Sequence, residues 1–305
     1  MQTVGRFAPS PSGRMHLGNV LCALLAWLSA RHQNGAFLLR IEDLDAMRCP
    51  RSYADLIMDD LRWLGLDWDG EVPYQSERAP IYEKYEQILR EKGLLYPCFC
   101  SRAALHAASA PHLSDGRVLY AGTCRELTPA EIEEKRKKRA PATRVRVPDE
   151  IISFTDGVFG AYSENLAEEC GDFIIRRSDG VFAYQLAVTV DDGLSGVTEV
   201  VRGSDLISST PRQIWLYRLF GFEPPHFVHL PLLCDVDGRR LSKRDEDLDL
   251  GLLRERFTPE QVIGALAFAA HLTDRAEPAS VRELVQDFDW SRIPRHELCL
   301  PPMFR

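Results

Sequence analysis

The chain has 305 residues, with 37 Lys plus Arg against 45 Asp plus Glu and a formal charge of −8. At about 150 residues per domain the length suggests two domains, and 45% apolar with 27% charged residues is ordinary globular composition. The acidic balance excludes a protein coated in basic surface, although a local basic patch can still meet nucleic acid. No apolar run reaches the ~18 residues of a membrane span. The uncharged stretch Leu17 to Ala30 follows a Gly/Pro/Arg-rich loop and does not read as a signal peptide, so no membrane partner is expected. Eight Cys are too few for a disulfide scaffold, which makes the reducing cytoplasm the expected compartment.

The first hundred residues alternate strand and helix signals. Thr3 to Ala8 is short and partly apolar, and the loop Pro9-Ser10-Pro11-Ser12-Gly13 follows it. Leu17 to Ala30 has a helical Leu/Ala/Trp pattern, and Ala36 to Ile41 is a compact apolar run expected to be a buried strand. Tyr53 to Leu64 and Ile81 to Leu89 carry apolar residues at helical spacing. This order predicts an α/β fold with a parallel sheet. The pattern breaks at Tyr96-Pro-Cys-Phe-Cys100. A charged helix is expected over Pro129 to Arg139, and short strands with turns over Thr143 to Ala187, as in an inserted α+β module. Strand signals resume at Val197 to Val201 and His226 to Leu233, and the tail from Thr258 reads as helical.

Two loops carry the phosphate chemistry. The string Arg6-Phe-Ala-Pro-Ser-Pro-Ser-Gly-Arg-Met-His-Leu-Gly-Asn19 leads from a strand into a helix. Helix N-termini present unpaired N–H groups and a positive dipole end, so phosphate sits well there. Gly18 lets a flat ligand lie against the backbone, and His16 can donate to a phosphoryl oxygen, although a plain surface cap is the ordinary role of such a histidine. The second loop, Arg239-Arg-Leu-Ser-Lys-Arg244, follows the last strand. There Lys243 is a mobile point charge suited to charge developing on a transferred phosphoryl group. One loop after the first strand and one after the last is the layout of a split nucleotide site.

These motifs resemble those of the class I aminoacyl-tRNA synthetases: the first loop is similar to their HIGH signature and Arg240-Leu-Ser-Lys-Arg244 to their KMSKS loop. The Arg6 to Gly13 opening, Arg40-Ile-Glu-Asp-Leu-Asp45, Tyr74-Gln-Ser76 and Val200-Val-Arg-Gly-Ser-Asp-Leu206 resemble glutamyl-tRNA synthetases and their close relatives. Asn19 stands where the family motif has its last His, and Arg240 where it has its first Lys, which leaves His16 as the one candidate imidazole. The resemblance implies a Rossmann-like catalytic domain over 1–95 and 190–250, an inserted zinc-containing α+β module with an acceptor-binding-like role over 96–189, and a short helical C-terminal cap over 251–305. About 60 residues follow Arg244, so no anticodon-binding domain is expected. That length matches truncated paralogues of glutamyl-tRNA synthetase, which transfer glutamate to queuosine at the wobble position of tRNA(Asp).

By the same resemblance, His16 and Lys243 are the catalytic pair. ATP, with Mg²⁺, would meet Pro9, Gly13, His16, Gly18 and Asn19 from one side and Arg240, Leu241, Ser242, Lys243 and Arg244 from the other. A glutamate substrate needs cations for two carboxylates and an anion for its ammonium, and arginine offers bidentate geometry to a carboxylate. Matching positions fall within Arg6-Phe7-Ala8-Pro9-Ser10, Glu42, Tyr184 and Arg202. Glu42 is assigned to the ammonium, and Arg6 and Arg202 to the two carboxylates in either order.

Cys98, Cys100 and Cys124 lie within 27 residues of an otherwise Cys-poor chain. Thiolates suit Zn²⁺ in a closed structural site. Tyr120 is the fourth ligand by resemblance, with His106, His112 or water as alternatives. Arg125 to Arg146 holds eight basic and four acidic residues, a net +4 inside an acidic chain. This stretch reads equally as an RNA contact or as a solvated helix with i,i+4 pairs. Nothing in the sequence requires more than a monomer. Two rival readings stay open: a truncated synthetase charging a tRNA 3′ end, and a non-catalytic regulator binding tRNA or nucleotide.

Overall fold

The computed structural model describes residues 2–101, 119–235 and 249–304. Strand β1 (Val4–Phe7) runs into the long loop and then into helix α1 (Leu17–His32), which returns the chain to β2 (Ala36–Leu39). The two strands pair in parallel, Val4 opposite Ala36 and Phe7 opposite Leu39. Beyond β2, Ile41 bridges in parallel to Tyr74, which lengthens the sheet on that side. Helices α2 (Arg51–Trp63) and α3 (Ala79–Glu91) follow. Each has one apolar face; that of α2 buries Ala54, Ile57 and Leu61.

The chain then leaves the parallel sheet. Strand β3 (Leu95–Cys98), helix α4 (Pro129–Arg136), strands β4 (Ala142–Val145), β5 (Ile151–Asp156), β6 (Gly160–Asn165) and β7 (Phe173–Arg176), and helix α5 (Tyr184–Leu194) come in order. Strands β3, β4 and β7 form an antiparallel sheet in that spatial order, and β5 with β6 forms a hairpin. Strand signals were expected as far as Ala187, but the segment from Tyr184 is helical. Its Val188, Thr189 and Val190 are β-branched and favour strands locally. Burial of Leu186, Ala187 and Val190 against the inserted strands decides the outcome.

Strand β8 (Glu199–Gly203), helix α6 (Thr210–Phe220) and β9 (His226–Leu230) rebuild the parallel sheet, with Arg202 opposite His229. Thr198 N–H donates to the Val4 carbonyl, which sets β8 beside β1. The order is therefore β2, β1, β8, β9. The crossover from β1 leads to β2 on one side and that from β8 to β9 on the other. A switch point therefore opens at the carboxyl ends of β1 and β8, where α/β sheets hold their ligands.

After β10 (Leu233–Cys234) come α7 (Leu250–Arg256), α8 (Pro259–Ala269), α9 (Val281–Val285) and β11 (Leu298–Cys299). The tail is not purely helical: β11 pairs in parallel with β10, Cys299 opposite Cys234. Helix α1 is apolar nearly all round because it lies between the parallel sheet and these C-terminal helices, with Leu24, Leu25, Ile263, Leu266 and Val281 in one core. A second core joins Val145 and Ile175 of the insertion to Val200 and Phe227 of the parallel sheet. The insertion thus shares apolar packing with the sheet, beside a small core of its own around Tyr96, Phe99 and Tyr120. Among the described residues no helix is long and apolar enough to cross a membrane.

Candidate active site and metal centre

The first loop ends in His16, the N-cap of α1. Its Nδ1 accepts from Gly18 N–H at 3.1 Å, and Asn19 Oδ1 accepts from His16 N–H at 3.4 Å, a reciprocal capping box. An accepting Nδ1 places the ring proton on Nε2. Capping through Nδ1 leaves Nε2–H outside the cap, and Asn19, the departure from the family motif, completes the capping box. Gly18 also serves the histidine: a Cβ there would sit 3.0 Å from the His16 ring carbon Cε1. At Gly13 a Cβ would meet nothing within 4 Å, so the space above that residue is open.

Arg240, Leu241, Ser242, Lys243 and Arg244 lie outside the described residues, as do His106 and His112. The chain that follows the second loop is anchored at the first. Asp249 bridges to His16, and Leu250 N–H donates to the Met15 carbonyl at 3.0 Å. Fully buried Asp60 of α2 ties the two together. It accepts from Arg14 at 2.8 and 3.1 Å and from Arg254 of α7 at 2.8 Å.

At the carboxyl ends of β1, β2 and β8 the structure gathers a buried charge network. Arg6 donates to Asp192 at 3.4 Å and to the Val201 carbonyl at 3.1 Å. Arg40 donates to Asp192 at 2.6 Å and to Glu42 at 3.0 Å. Burial pushes the Glu42 carboxyl up despite the opposing Arg40 charge. Burial also acts to raise Asp192, but the Arg40 and Arg6 charges outweigh it and hold that carboxyl below its ordinary value. Asp191 anchors the far side, accepting from Arg78, Gln75 and Tyr82 at 2.7 to 2.8 Å. Glu42 N–H donates to the Pro9 carbonyl at 2.9 Å, which locks the Arg40 to Asp45 motif to the first loop.

Arg202 is 5% exposed and donates to His229, Tyr184, Gln213, the Leu206 carbonyl and Thr210. These five partners match the five N–H donors of a guanidinium. The contact to Leu206 at 3.4 Å is the longest, so a further acceptor would most easily exchange there. Tyr184 accepts from Arg202, so its own hydroxyl proton can point elsewhere. Arg6, Glu42, Tyr184 and Arg202 thus share one region. Phe7 does not offer its side chain to it: the ring packs in the main core, and the Phe7 carbonyl accepts from Arg40 N–H at 3.1 Å. Ala8 is half-buried and Ser10 exposed on the loop. The partners Asp191, Asp192 and His229 are absent from the sequence reading, and Arg40 appears there only within its motif, with no site role. The signal for Asp191 and Asp192 was an acidic pair inside an apolar helix, which demands buried partners.

The second candidate centre lies at the end of β3, on the antiparallel sheet of the insertion. The sulfurs of Cys98, Cys100 and Cys124 all fall within 4.8 Å of one another, and Cys100 to Cys124 is 3.7 Å. The Tyr120 hydroxyl is 3.7 Å from the Cys98 sulfur. Sulfurs about 2.3 Å from a tetrahedral zinc stand roughly 3.8 Å apart, so the Cys100–Cys124 separation matches an edge of such a site. Burial acts to raise the Cys98 thiol, but the Cys100 backbone N–H and the Arg144 guanidinium reverse this and lower it. Cys100 is pushed up to about 12 by burial and by its two sulfur neighbours.

Arg144 corrects the reading of the basic stretch. Counted there as a possible RNA contact, it is 5% exposed, donates to Cys98 Sγ at 3.2 Å and to the Asp172 carbonyl at 2.6 Å, and stacks 3.8 Å over the Tyr120 ring. Arg146 pairs with Glu126 at 2.6 Å and lies over Tyr96. The expected i,i+4 pairing of the helix is also revised. Glu131 completes a capping box with Thr128, and Glu134 meets Lys137 at 2.9 Å. The exposed residues Lys135 to Arg139 remain as the basic surface.

Comparison with known proteins agrees with this geometry. Residues 2–291 match the tRNA synthetases class I (E and Q) catalytic domain family. The chain belongs to that family, and with it to the ligases. Proteins named glutamyl-Q tRNA(Asp) synthetase resemble it along nearly their whole length. That of Symbiobacterium thermophilum is 50% identical, over 97% of this chain and 95% of that protein. That of Nitratidesulfovibrio vulgaris is 47% identical over the same shares. A glutamate tRNA ligase from Elizabethkingia meningosepticum, solved in complex with its amino acid, superposes with a TM-score of 0.85 at 28% identity. That match covers 100% of this chain and 68% of that one.

Proposed function

We propose that this protein activates glutamate with ATP and transfers it to the queuosine base at the wobble position of tRNA(Asp). The observation that carries the reading is the single buried cluster at the switch point. There Arg6, Glu42 and the Tyr184–Arg202 pair gather behind the first loop, which Glu42 N–H holds through the Pro9 carbonyl, on a chain that resembles the glutamyl-Q tRNA(Asp) synthetases throughout. Arg6 and Arg202 supply charge for two carboxylates, and Glu42 for the ammonium. Residues 135–139 offer an exposed basic strip to the RNA backbone.

In the first step an oxygen of the glutamate α-carboxylate attacks the α-phosphorus of ATP. The bond to the bridging oxygen breaks, and pyrophosphate leaves. No protein nucleophile is needed, because positioning and charge stabilisation lower the barrier. His16, with its proton on Nε2, donates to the phosphoryl oxygens; Lys243 is assigned the opposite side, and the N-terminus of α1 adds its dipole. Mg²⁺ bound to ATP would neutralise charge on the leaving pyrophosphate. In the second step a cyclopentene-diol hydroxyl of the base attacks the glutamyl carbonyl, and AMP departs with the bonding electrons. Cys98, Cys100, Cys124 and Tyr120 are proposed to hold one structural Zn²⁺, which would cross-link β3 to the segment before α4.

The test uses labelled glutamate, ATP and tRNA with or without queuosine. Label should appear only on queuosine-containing tRNA, and nuclease mapping should place it on the wobble nucleoside. Label on the 3′-terminal adenosine, or no glutamate-dependent ATP–pyrophosphate exchange, would refute the proposal.

A further inference from the structure

The inserted hairpin reaches into the parallel sheet at an unexpected place. Asp156 at the end of β5 is 2% exposed, and its carboxylate accepts from Val158, Phe159 and His229 backbone N–H groups at 2.9 to 3.0 Å. The next residue, Gly157, packs directly on β9. Its N–H donates to the Phe227 carbonyl at 2.9 Å, and a Cβ there would lie 2.7 Å from Val228. Only a glycine allows the tip to seat this close. Asp156 Oδ2 also stands 2.6 Å from Nδ1 of His229, a ring with no exposed surface.

The donors around His229 leave one tautomer. Arg202 Nε–H can only donate, and it does so to His229 Nε2 at 3.1 Å. The Thr210 hydroxyl accepts from Arg202 at 2.7 Å and so turns its own proton toward the same Nε2, 3.2 Å away. Nε2 is therefore an acceptor, and the ring proton sits on Nδ1, donated to Asp156. Burial, aided by the Arg202 charge, keeps the imidazole below its ordinary pKa and neutral.

We propose that Asp156 and His229 are positioning residues for Arg202, so that a hairpin of the insertion sets the affinity for the amino-acid substrate. The inference rests on the reading that Arg202 faces a glutamate carboxylate. Asp156 selects the His229 tautomer that accepts from Arg202 and thereby orients the guanidinium edge offered to the substrate. The insertion then does more than hold a metal and meet RNA: its hairpin completes the amino-acid site.

Asp156 Oδ1 accepts from the Val158 and Phe159 N–H groups and Oδ2 from the backbone N–H and ring N–H of His229, four donors that one amide oxygen cannot serve. With the amide oxygen kept on Val158 and Phe159, the NH2 group faces His229, drives the ring proton to Nε2 and confronts Arg202 and Thr210 with a donor. Asp156→Asn should therefore raise the glutamate KM in ATP–pyrophosphate exchange by about 10-fold or more, with the ATP KM within about twofold. His229→Gln keeps an acceptor for Arg202 without needing Asp156. The double variant should thus recover most of the lost glutamate affinity. A double variant worse than Asp156→Asn alone, or equal rises in both KM values, overturns the proposal. Should Asp156→Asn fail to fold, long-range proton–nitrogen NMR of the intact wild type reads the His229 tautomer directly. A proton on Nδ1 upholds the proposal, and one on Nε2 overturns it. Wild-type protein with no glutamate-dependent exchange would instead refute the functional reading, so the two failures are distinguishable.

Discussion

Asp192→Asn isolates the electrostatic core of the candidate site. The carboxylate is 1% exposed and lies 2.6 Å from Arg40 and 3.4 Å from Arg6. The substitution preserves shape and removes one charge from between two buried guanidinium groups. Breaking a buried pair from one side costs ~3–5 kcal/mol, because the remaining charge is left uncompensated. Here Arg40 keeps Glu42 at 3.0 Å and Asp191 at 3.7 Å, so the lower end, about 3 kcal/mol, is expected. The assay is urea unfolding at neutral pH, read as a lower midpoint with unchanged slope. Because Arg40 and Arg6 hold the folded-state pKa of Asp192 down, its contribution is present above the unfolded value, ~3.9. It is lost as pH falls through the lower folded value. The gap between wild type and variant should therefore stay constant from about pH 8 to 5 and close only below ~3.9. The exposed Asp274→Asn control should move stability by under ~0.5 kcal/mol. A loss below about 1 kcal/mol for Asp192→Asn, or a gap that widens on acidification, would refute the account of Asp192 as the bridge between Arg6 and Arg40.

Three further outcomes follow from the site. Lys243→Ala should reduce ATP–pyrophosphate exchange by at least ~10²-fold while the melting temperature holds; near-normal exchange would remove Lys243 from the mechanism. Cys124→Ser should lower zinc content, measured by atomic absorption, and expose the segment around Cys98 to proteolysis; unchanged metal content would exclude the four-residue centre. Because burial raises the Glu42 carboxyl, acidification should weaken ammonium binding at a pH above the ordinary glutamate value of ~4.3. The glutamate KM should then rise on the acid side while the ATP KM stays flat, and a flat profile for both would dissociate Glu42 from the substrate ammonium.

The sequence alone determined the parts of this protein that are contiguous. The Arg6 to Asn19 string, the alternating pattern of the first hundred residues and the closely spaced cysteines are local patterns, and local chemistry constrains them. Helix α1 was legible because its run of Leu and Ala favours helix locally although it is apolar nearly all round. What tertiary structure decided is which distant residues meet. Asp192 reaches Arg6 across 186 positions, and His229 reaches Asp156 across 73. No local pattern encodes such pairings, because burial and strand register create them. The same cause turned the β-branched segment at Tyr184 into a helix and drew Arg144 out of an apparent RNA patch to the sulfur of Cys98. Once water is excluded, a charge must find a partner wherever the chain supplies one, and only the folded chain shows where that is.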